Sequence, residues 1–552
     1  MSTTDLQILS PLAAGWLVLL LISLTWYLDL CLLLTHRPIH GRWFIDQFIR
    51  ELSFTFILTA SVPAPVLIVF FLILFVFILF AHIYQRAFLS PLSFTTIRRQ
   101  WTDGAAAVSL EFLNTIPDIF IRATALFMFK AVLLWASFAY FPVPYKVRLA
   151  PLCVVLPLFA LKTIQAFNEV QRLTRGWASP IHLVPRYGYV LVWLNEFLYL
   201  HDDDLLREAL EARELVQDRI TPFEGPLSLP SHFVMLQVES LAYAVLNKKA
   251  CDTEITPFLN RISKQSMLFK TQAIHMNGSC DADFTLLHAH RPGSRTATYR
   301  LPGYPHHDSL PHKCRSIGMP LSFLHGQKGA MFNRGEVFKT MEFEHLLFGE
   351  DMRRELAIAQ TKMGGVPDHY VFDLAADLHL NSPGPRASLI VTVSSHTPFH
   401  DLPPDFRSDF LSTNTEQQDR YFHSLRYFDQ ALESFVQKLP NGTVFVIFGD
   451  HEPPGIAVCT DCAQSNGSFS PEGRTKDFVP AIVYRKGTDL AALQRTPSEI
   501  ALSGELTMLD LATWIHAWFD PDREAQGPSI SKAPAADNLE VLSTRSLEPT
   551  EE

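Results

Sequence analysis

TVFVIFGDHEPPG, residues 443–455, runs β-branched and aromatic side chains in an unbroken row and then stops at Asp450, His451 and Glu452. An apolar run this short, closed by Gly449 and then by Pro453-Pro454, fits a strand covered on both faces rather than a half-exposed one. Such a strand carries whatever follows it to the rim of a sheet. Here that is two carboxylates and an imidazole, held on a loop that two prolines stiffen by fixing φ.

Three more runs have the same texture: HFVMLQVE (232–239), ASLIVTVSSHTPF (387–399) and FVPAIVYRK (478–486). Between and after them lie patterns of helical period, DRYFHSLRYFDQALESFVQKL (419–439) and LTMLDLATWIHAWF (506–519). Strands alternating with helices predict an α/β domain, a mixed sheet with helices on both faces. In open sheets of this kind ligands gather at the carboxyl ends of the strands. Those ends carry Glu239, His396 and the pair Asp450-His451. Carboxylates and an imidazole from separate strands suit a divalent cation such as Mn²⁺ or Zn²⁺. Any one of them alone reads equally as a structural group. MNGSCDADF (276–284) adds Gly278 before Ser279, a place where the backbone can turn sharply and present the hydroxyl. Serine is a weak nucleophile until a base or a metal activates it. The plain alternative is a turn closed by an Asx cap.

The rest of the chain has a different character. Of its 552 residues 48% are hydrophobic and 18% charged, with 42 Phe, which suits a membrane part joined to a soluble part. Apolar stretches at 12–34, 64–84, 119–141 and 149–167 are long enough to be read as transmembrane helices. A fifth candidate lies at 46–62, and 187–200 is short enough to be interfacial. The first stretch lacks the basic flank and small-residue cleavage site of a signal peptide. Arg122 and Lys130 fall inside the third, where a charge must face other helices or snorkel. Arg37, Arg42 and Arg50 in one loop balance Arg86, Arg98 and Arg99 in the next, so charge does not set the orientation. The domain reading is transmembrane helices over 1–170, an amphipathic connector over 171–230, a catalytic domain over 231–521 and a disordered tail over 522–552. The net charge of −10 excludes a basic nucleic-acid surface.

Of the seven cysteines, Cys31 and Cys153 lie in apolar runs, and Cys459 and Cys462 have the spacing of a local disulfide. Cys280 reads as a small buried residue or half of a disulfide. The pairing of Cys251, Cys314 and the others stays open. The histidines of PGYPHHDSLPH (302–312) read as solvated loop residues.

Taken in order, QVESL (237–241), TPFLN (256–260), GSCDADF (278–284), FLHG (323–326), FNR (332–334), SSHTPF (394–399) and FGDH (448–451) resemble the lipoteichoic acid synthase and phosphoglycerol transferase group of the alkaline phosphatase/sulfatase superfamily. The resemblance covers about 230–520. It implies that Glu239, Asp450, His451 and Ser279 ligate one divalent metal, Mn²⁺ by preference with Zn²⁺ or Mg²⁺ open. It makes Ser279 the nucleophile, where the group usually has threonine. Arg334 would bind phosphate or its glycerol, and Phe332 stands where the group has tryptophan. His325 and His396 match histidines flanking the pocket, and His396 would hydrogen-bond the substrate or move a proton. Glu452 loses the third-ligand place to Glu239, and its role is open. The formylglycine signature of sulfatases, Cys/Ser-x-Pro-x-Arg, is missing around Ser279 and Cys280, so sulfate-ester hydrolysis is not expected.

The activity implied is transfer of phosphoglycerol from a phospholipid donor, phosphatidylglycerol foremost, to a glycan or polyol-phosphate hydroxyl through an ester on Ser279. The setting implied is a bacterial-type inner membrane, with the catalytic domain facing the periplasm or exterior. Phosphoethanolamine transfer and phosphodiester hydrolysis use the same kind of site. Gly449-Asp450-His451-Glu452-Pro453 is nearer the phosphoglycerol type than the Ser-Asp-His-Gly-Glu of the ethanolamine enzymes. A membrane-anchored binding protein with a dead enzyme domain is the reading from another class, and it predicts broken ligand or nucleophile positions.

Overall fold

The expected strands form, and β1 (His232–Val238) lies at the centre of their sheet. The computed structural model describes residues 152–175, 187–214, 229–250, 252–356, 365–397, 416–453, 477–491 and 506–520, with shorter pieces elsewhere, several of them between 49 and 132. The other main strands are β2 (Met267–Gln272), β3 (Leu321–His325), β4 (Leu346–Phe348), β5 (Arg386–Val391), β6 (Val444–Gly449) and β7 (Phe478–Arg485). They form a seven-stranded sheet in the order β2-β7-β6-β1-β5-β3-β4. β1 runs parallel to β5 and β6, β3 runs parallel to β4 and β5, and β7 is antiparallel to both its neighbours. The sheet is therefore mixed, as the sequence predicts.

Alternate residues of β1 feed two cores, because successive side chains of a strand point to opposite faces. Phe233 and Met235 join a cluster with Phe284, Leu511, Ile515 and Trp518. Those partners come from α5 (Cys280–His288) and α8 (Met508–Trp518). Val234, Leu236 and Val238 join the opposite cluster with Phe372, Phe428 and Phe435. These come from α6 (Asp368–Leu380) and α7 (Glu416–Lys438). Both faces are dry, which is why the strand sequences read as continuous apolar runs. Caps fix the helices against the sheet. Thr507 and Asp510 close a capping box at the start of α8. Asp429 of α7 accepts the Phe258 and Leu259 amides at 2.8 Å each, which caps α4 (Pro257–Ser263) from across the core.

Ahead of the sheet lie α1 (Leu152–Arg175), α2 (Tyr189–Tyr199) and α3 (Asp202–Glu214). α3 falls within the expected connector and buries Leu205, Glu208 and Ala209. α1 contains most of the 149–167 stretch but runs on into polar sequence ending NEVQRLTR. Among the described residues no helix is long and apolar enough to cross a membrane. The 12–34 stretch, the 522–552 tail and Cys31, Cys251, Cys459 and Cys462 lie outside the described residues, as do most of 46–62, 64–84 and 119–141.

Phe233 is fully buried and meets Trp518 and Phe519 edge-on at 5.0 Å each. Phe233→Ala is expected to cost about 3–5 kcal/mol. Denaturant unfolding followed by tryptophan fluorescence checks this, and a loss under about 1 kcal/mol would mean the site collapses around the smaller side chain.

Candidate functional site

The register of the parallel strands brings the predicted ligands together. Val238 pairs with Gly449, so the residues that follow them, Glu239 and Asp450, leave the sheet side by side. Gly449 is required here, since a Cβ would lie 2.2 Å from the Leu241 carbonyl oxygen. Glu239 is anchored at both ends of its peptide. Its N–H donates to Thr392 Oγ1 at 3.0 Å, and its carbonyl accepts Ser395 Oγ at 2.6 Å. Ser240 ties the two acids together, donating its N–H to Asp450 Oδ1 at 2.8 Å and its hydroxyl to Glu239 Oε1 at 3.0 Å.

His451 Nδ1 is 2.8 Å from the Glu452 carbonyl oxygen, which only accepts, so Nδ1 carries a proton and Nε2 faces the acids. Nε2 is 3.1 Å from Glu239 Oε1 and 3.7 Å from Asp450 Oδ2. One ligand atom from each of Glu239, Asp450 and His451 falls within 4.8 Å of the others, and all three residues are buried. Asp450 Oδ2 is buried without a hydrogen-bond partner. Such an oxygen calls for a positive charge. Burial and the Glu239 charge raise the Asp450 carboxyl to about 7. Burial acts to lower His451, and Asp450 and Glu239 outweigh it and raise the imidazole to about 10. A divalent cation competes with that proton for the same two carboxylates, and the donor set of two oxygens and one imidazole nitrogen fits it.

Ser279 stands directly before α5, and its hydroxyl is not spent on capping. It donates to Glu239 Oε2 at 2.9 Å and lies 3.4 Å from His451 Nε2. The capping of this turn falls to Asp281, whose Oδ2 accepts the Met276 and Asn277 amides at 2.7 Å each. Gln237 of β1 holds the Ser279 carbonyl at 3.0 Å. Gly278 has φ +122°, and a Cβ there would meet Phe332 Cζ at 2.6 Å. Asp281 thus ties the loop before α5 to the helix, and the Ser279 hydroxyl turns to the acids.

The other expected residues are placed less directly. Arg334 is buried, with its Nε 3.1 Å from Asp283 Oδ2 and one Nη also on that oxygen. Asp283 further accepts the Tyr299 hydroxyl at 2.7 Å. Phe332 is 4% exposed and packs on Gly278. His325 donates from Nδ1 to the Val391 carbonyl at 3.0 Å, and burial with the nearby Arg334 pushes it down to about 3, so it is neutral. His396 is partly exposed and holds the Thr397 carbonyl at 2.6 Å through Nδ1. Glu452 accepts the Phe478 amide at 3.2 Å, which anchors the loop after the ligands to β7.

Gln237, Ser240, Asp281 and Asp283 were not singled out from the sequence. The acidic pair in GSCDADF was the visible signal for the last two. His275, whose ring lies 4.2 Å from that of His451, carried no signal at all. One expectation is corrected. His306 is not a solvated loop histidine but packs on Tyr299 and Tyr304 with Nδ1 3.1 Å from His288 Nε2, while His307 and His312 are exposed. Cys280 and Cys314 are buried and form no disulfide.

The Sulfatase family profile matches residues 231–509. Lipoteichoic acid synthase from Staphylococcus aureus is 23% identical over 411 residues, 68% of this chain and 62% of that protein. The lipoteichoic acid synthase of Staphylococcus saprophyticus is 24% identical over 408 residues, 68% and 61%. The chain thus spans about three-fifths of the length of these relatives. The integral membrane protein lipooligosaccharide phosphoethanolamine transferase A from Neisseria meningitidis has a TM-score of 0.52 at 14% identity, covering 91% of this chain and 95% of that one. At that identity the likeness is one of fold.

Ser240→Ala removes the hydroxyl that orients Glu239 Oε1 and is expected to weaken divalent-metal binding about tenfold or more. Calorimetric titration of Mn²⁺ and Zn²⁺ into the wild type and the variant reads this directly. Gly278→Ala is expected to destabilise by about 1–3 kcal/mol through its backbone and the Phe332 clash. Its unfolding midpoint checks the value.

Proposed function

From the premise that the chain belongs to the sulfatase family, we propose that it is a membrane-anchored, metal-dependent transferase. It moves phosphoglycerol from a phospholipid headgroup, phosphatidylglycerol by preference, to a hydroxyl of a glycan or polyol-phosphate acceptor. The observation that carries the reading is the Ser279 hydroxyl, 2.9 Å from Glu239 and 3.4 Å from His451 beside the orphaned oxygen of Asp450. A dead-domain reading predicts that one of these positions is broken, and Glu239, Ser279, Asp450 and His451 are all in place.

A divalent cation on Glu239, Asp450 and His451, Mn²⁺ by preference with Zn²⁺ or Mg²⁺ also suited, would favour the ionised Ser279 oxygen and offset phosphate charge. The Ser279 hydroxyl, oriented by its hydrogen bond to Glu239 Oε2 at 2.9 Å, would lose its proton to solvent when the cation is bound. Ser279 Oγ forms a bond to phosphorus, and the bond from phosphorus to the diacylglycerol oxygen breaks. That oxygen takes the electron pair and a proton, for which His396 is the proposed donor. The phosphoglycerol remains esterified to Ser279 until an acceptor hydroxyl, passing its proton to His396, attacks the same phosphorus and the bond from phosphorus to Ser279 Oγ breaks. Arg334 lends positive charge to the transferring phosphate while Asp283 holds its fork in place. His325, neutral, is a proposed hydrogen-bonding partner of the substrate, and Phe332, packed on Gly278, a proposed apolar contact.

Membrane anchoring fits the apolar stretches of the first 170 residues and the exposed Leu156, Leu158, Leu161 and Ile164 along α1. It would keep the site near a lipid donor on the periplasmic or outer side. Phosphoethanolamine transfer shares every step. Gly449 before Asp450, in place of serine, favours phosphoglycerol.

The test is incubation of the purified protein with Mn²⁺ and labelled phosphatidylglycerol or phosphatidylethanolamine, followed by intact-mass analysis. The expected result is a phosphoglycerol adduct with release of diacylglycerol. Ser279→Ala is expected to lower turnover at least about 10³-fold, and a chelator should abolish it in the wild type. If neither lipid yields a Ser279-dependent adduct, the transferase reading fails.

A further inference from the structure

The turn that carries Ser279 is tied to a second place. Asn277, two residues before the serine, donates from Nδ2 to the Gly293 carbonyl at 2.7 Å. Gly293 begins a three-residue segment whose other side faces the helices ahead of the sheet. A Cβ at Gly293 would meet Glu208 Oε2 at 3.1 Å and Ala209 Cβ at 3.3 Å, both on α3. Ser294 donates its N–H to Glu208 Oε1 at 2.8 Å. Arg295 donates from Nη2 to the Thr174 carbonyl of α1 at 3.2 Å, and its Nη1 is 3.9 Å from Glu196 Oε1 of α2. Glu196 uses its other oxygen for the Phe94 and Thr95 amides.

The side chains of Arg295 and Glu196 are fully buried. Arg295 Nε and Nη1 and Glu196 Oε1 have no hydrogen-bond partner. Burying a guanidinium this way is costly, and apolar residues of the same volume would join the helices to the sheet domain at least as firmly. What the charged group adds is geometry: a rigid fork that meets one carbonyl and one carboxylate fits in a single register. Gly293, Ser294 and Arg295 thus form one bracket touching α1, α2 and α3 on one side and the Ser279 turn on the other.

We propose that Arg295 is a positioning residue, through which the helices ahead of the catalytic domain set the turn bearing Ser279. The role of Ser279 in this statement rests on the transferase reading above; the mechanical link from Arg295 to the turn does not. Glu239, Asp450 and His451 hang from β1 and β6 instead, so the link acts on the Ser279 turn and not on the strands that carry those three residues.

Hydrogen exchange on the full chain tests the link, with Arg295→Met and Arg295→Lys. The lysine variant keeps the charge but loses the fork, so it decides the matter if the methionine variant does not fold. The Met276 and Asn277 amides, both held by Asp281, are expected to exchange about tenfold faster in the variants while β1 and β6 amides keep their wild-type rates. Unchanged exchange over 276–279, or an equal rise throughout the sheet, overturns the proposal. For headgroup transfer the expectation is a fall of about tenfold or more in kcat, with KM for the lipid and Mn²⁺ affinity unchanged. A variant with faster exchange at the turn but unaltered kcat would likewise refute a positioning role. If the wild type transfers no headgroup, the functional reading fails by itself, and the exchange rates still decide the link.

Discussion

Two carboxylates buried against each other are the constraint around which this structure is built. Glu239 and Asp450 leave adjacent parallel strands at the same rim, and neither has bulk water to spread its charge. Bringing two like charges this close is unfavourable unless something positive joins them. His451 answers part of that demand, and the hydroxyl and amide of Ser240 answer another part. The oxygen left over, Asp450 Oδ2, is what makes the group a cation site rather than a closed salt bridge.

The surrounding elements keep that arrangement from relaxing. Thr392 and Ser395, from the loop after β5, grip the Glu239 peptide from the neighbouring strand end. Tyr421 of α7 reaches the Ser240 carbonyl at 2.6 Å. The turn bearing Ser279 is held in a different way, by the Asp281 carboxylate on the Met276 and Asn277 amides, by Gln237 of β1 and by the close approach of Phe332 to Gly278. The two acids and Ser279 are therefore supported by separate sets of contacts that meet at the Ser279 hydroxyl.

Much of this was legible in the chain. VFVIFG and FVMLQV showed two dry strands because a strand covered on both faces has no polar alternation to break its apolar run. The residues after them were candidate ligands because a strand's end is where a covered sheet opens. His306 was misread because a Pro- and His-rich loop looks solvated until something packs on it, and the rings of His288 and Tyr299 that do so lie outside that loop. Asp283 was unremarkable next to Asp281 until Arg334, 51 residues on, folded onto it.

The sequence by itself determined four of the seven strands, one helix on each face and the identity of Glu239, Ser279, Asp450 and His451 as candidates, since these follow from periodicity, local turn chemistry and motif order; β2, β3 and β4 went unread. Only the tertiary structure decided the strand order that sets β1 beside β6, the committed pairing of Arg334 with Asp283, and the bracket from Arg295 to Asn277. Those depend on contacts between residues far apart in the chain. No local pattern encodes them, because the energy that selects a partner for a buried charge appears only once the chain has enclosed it.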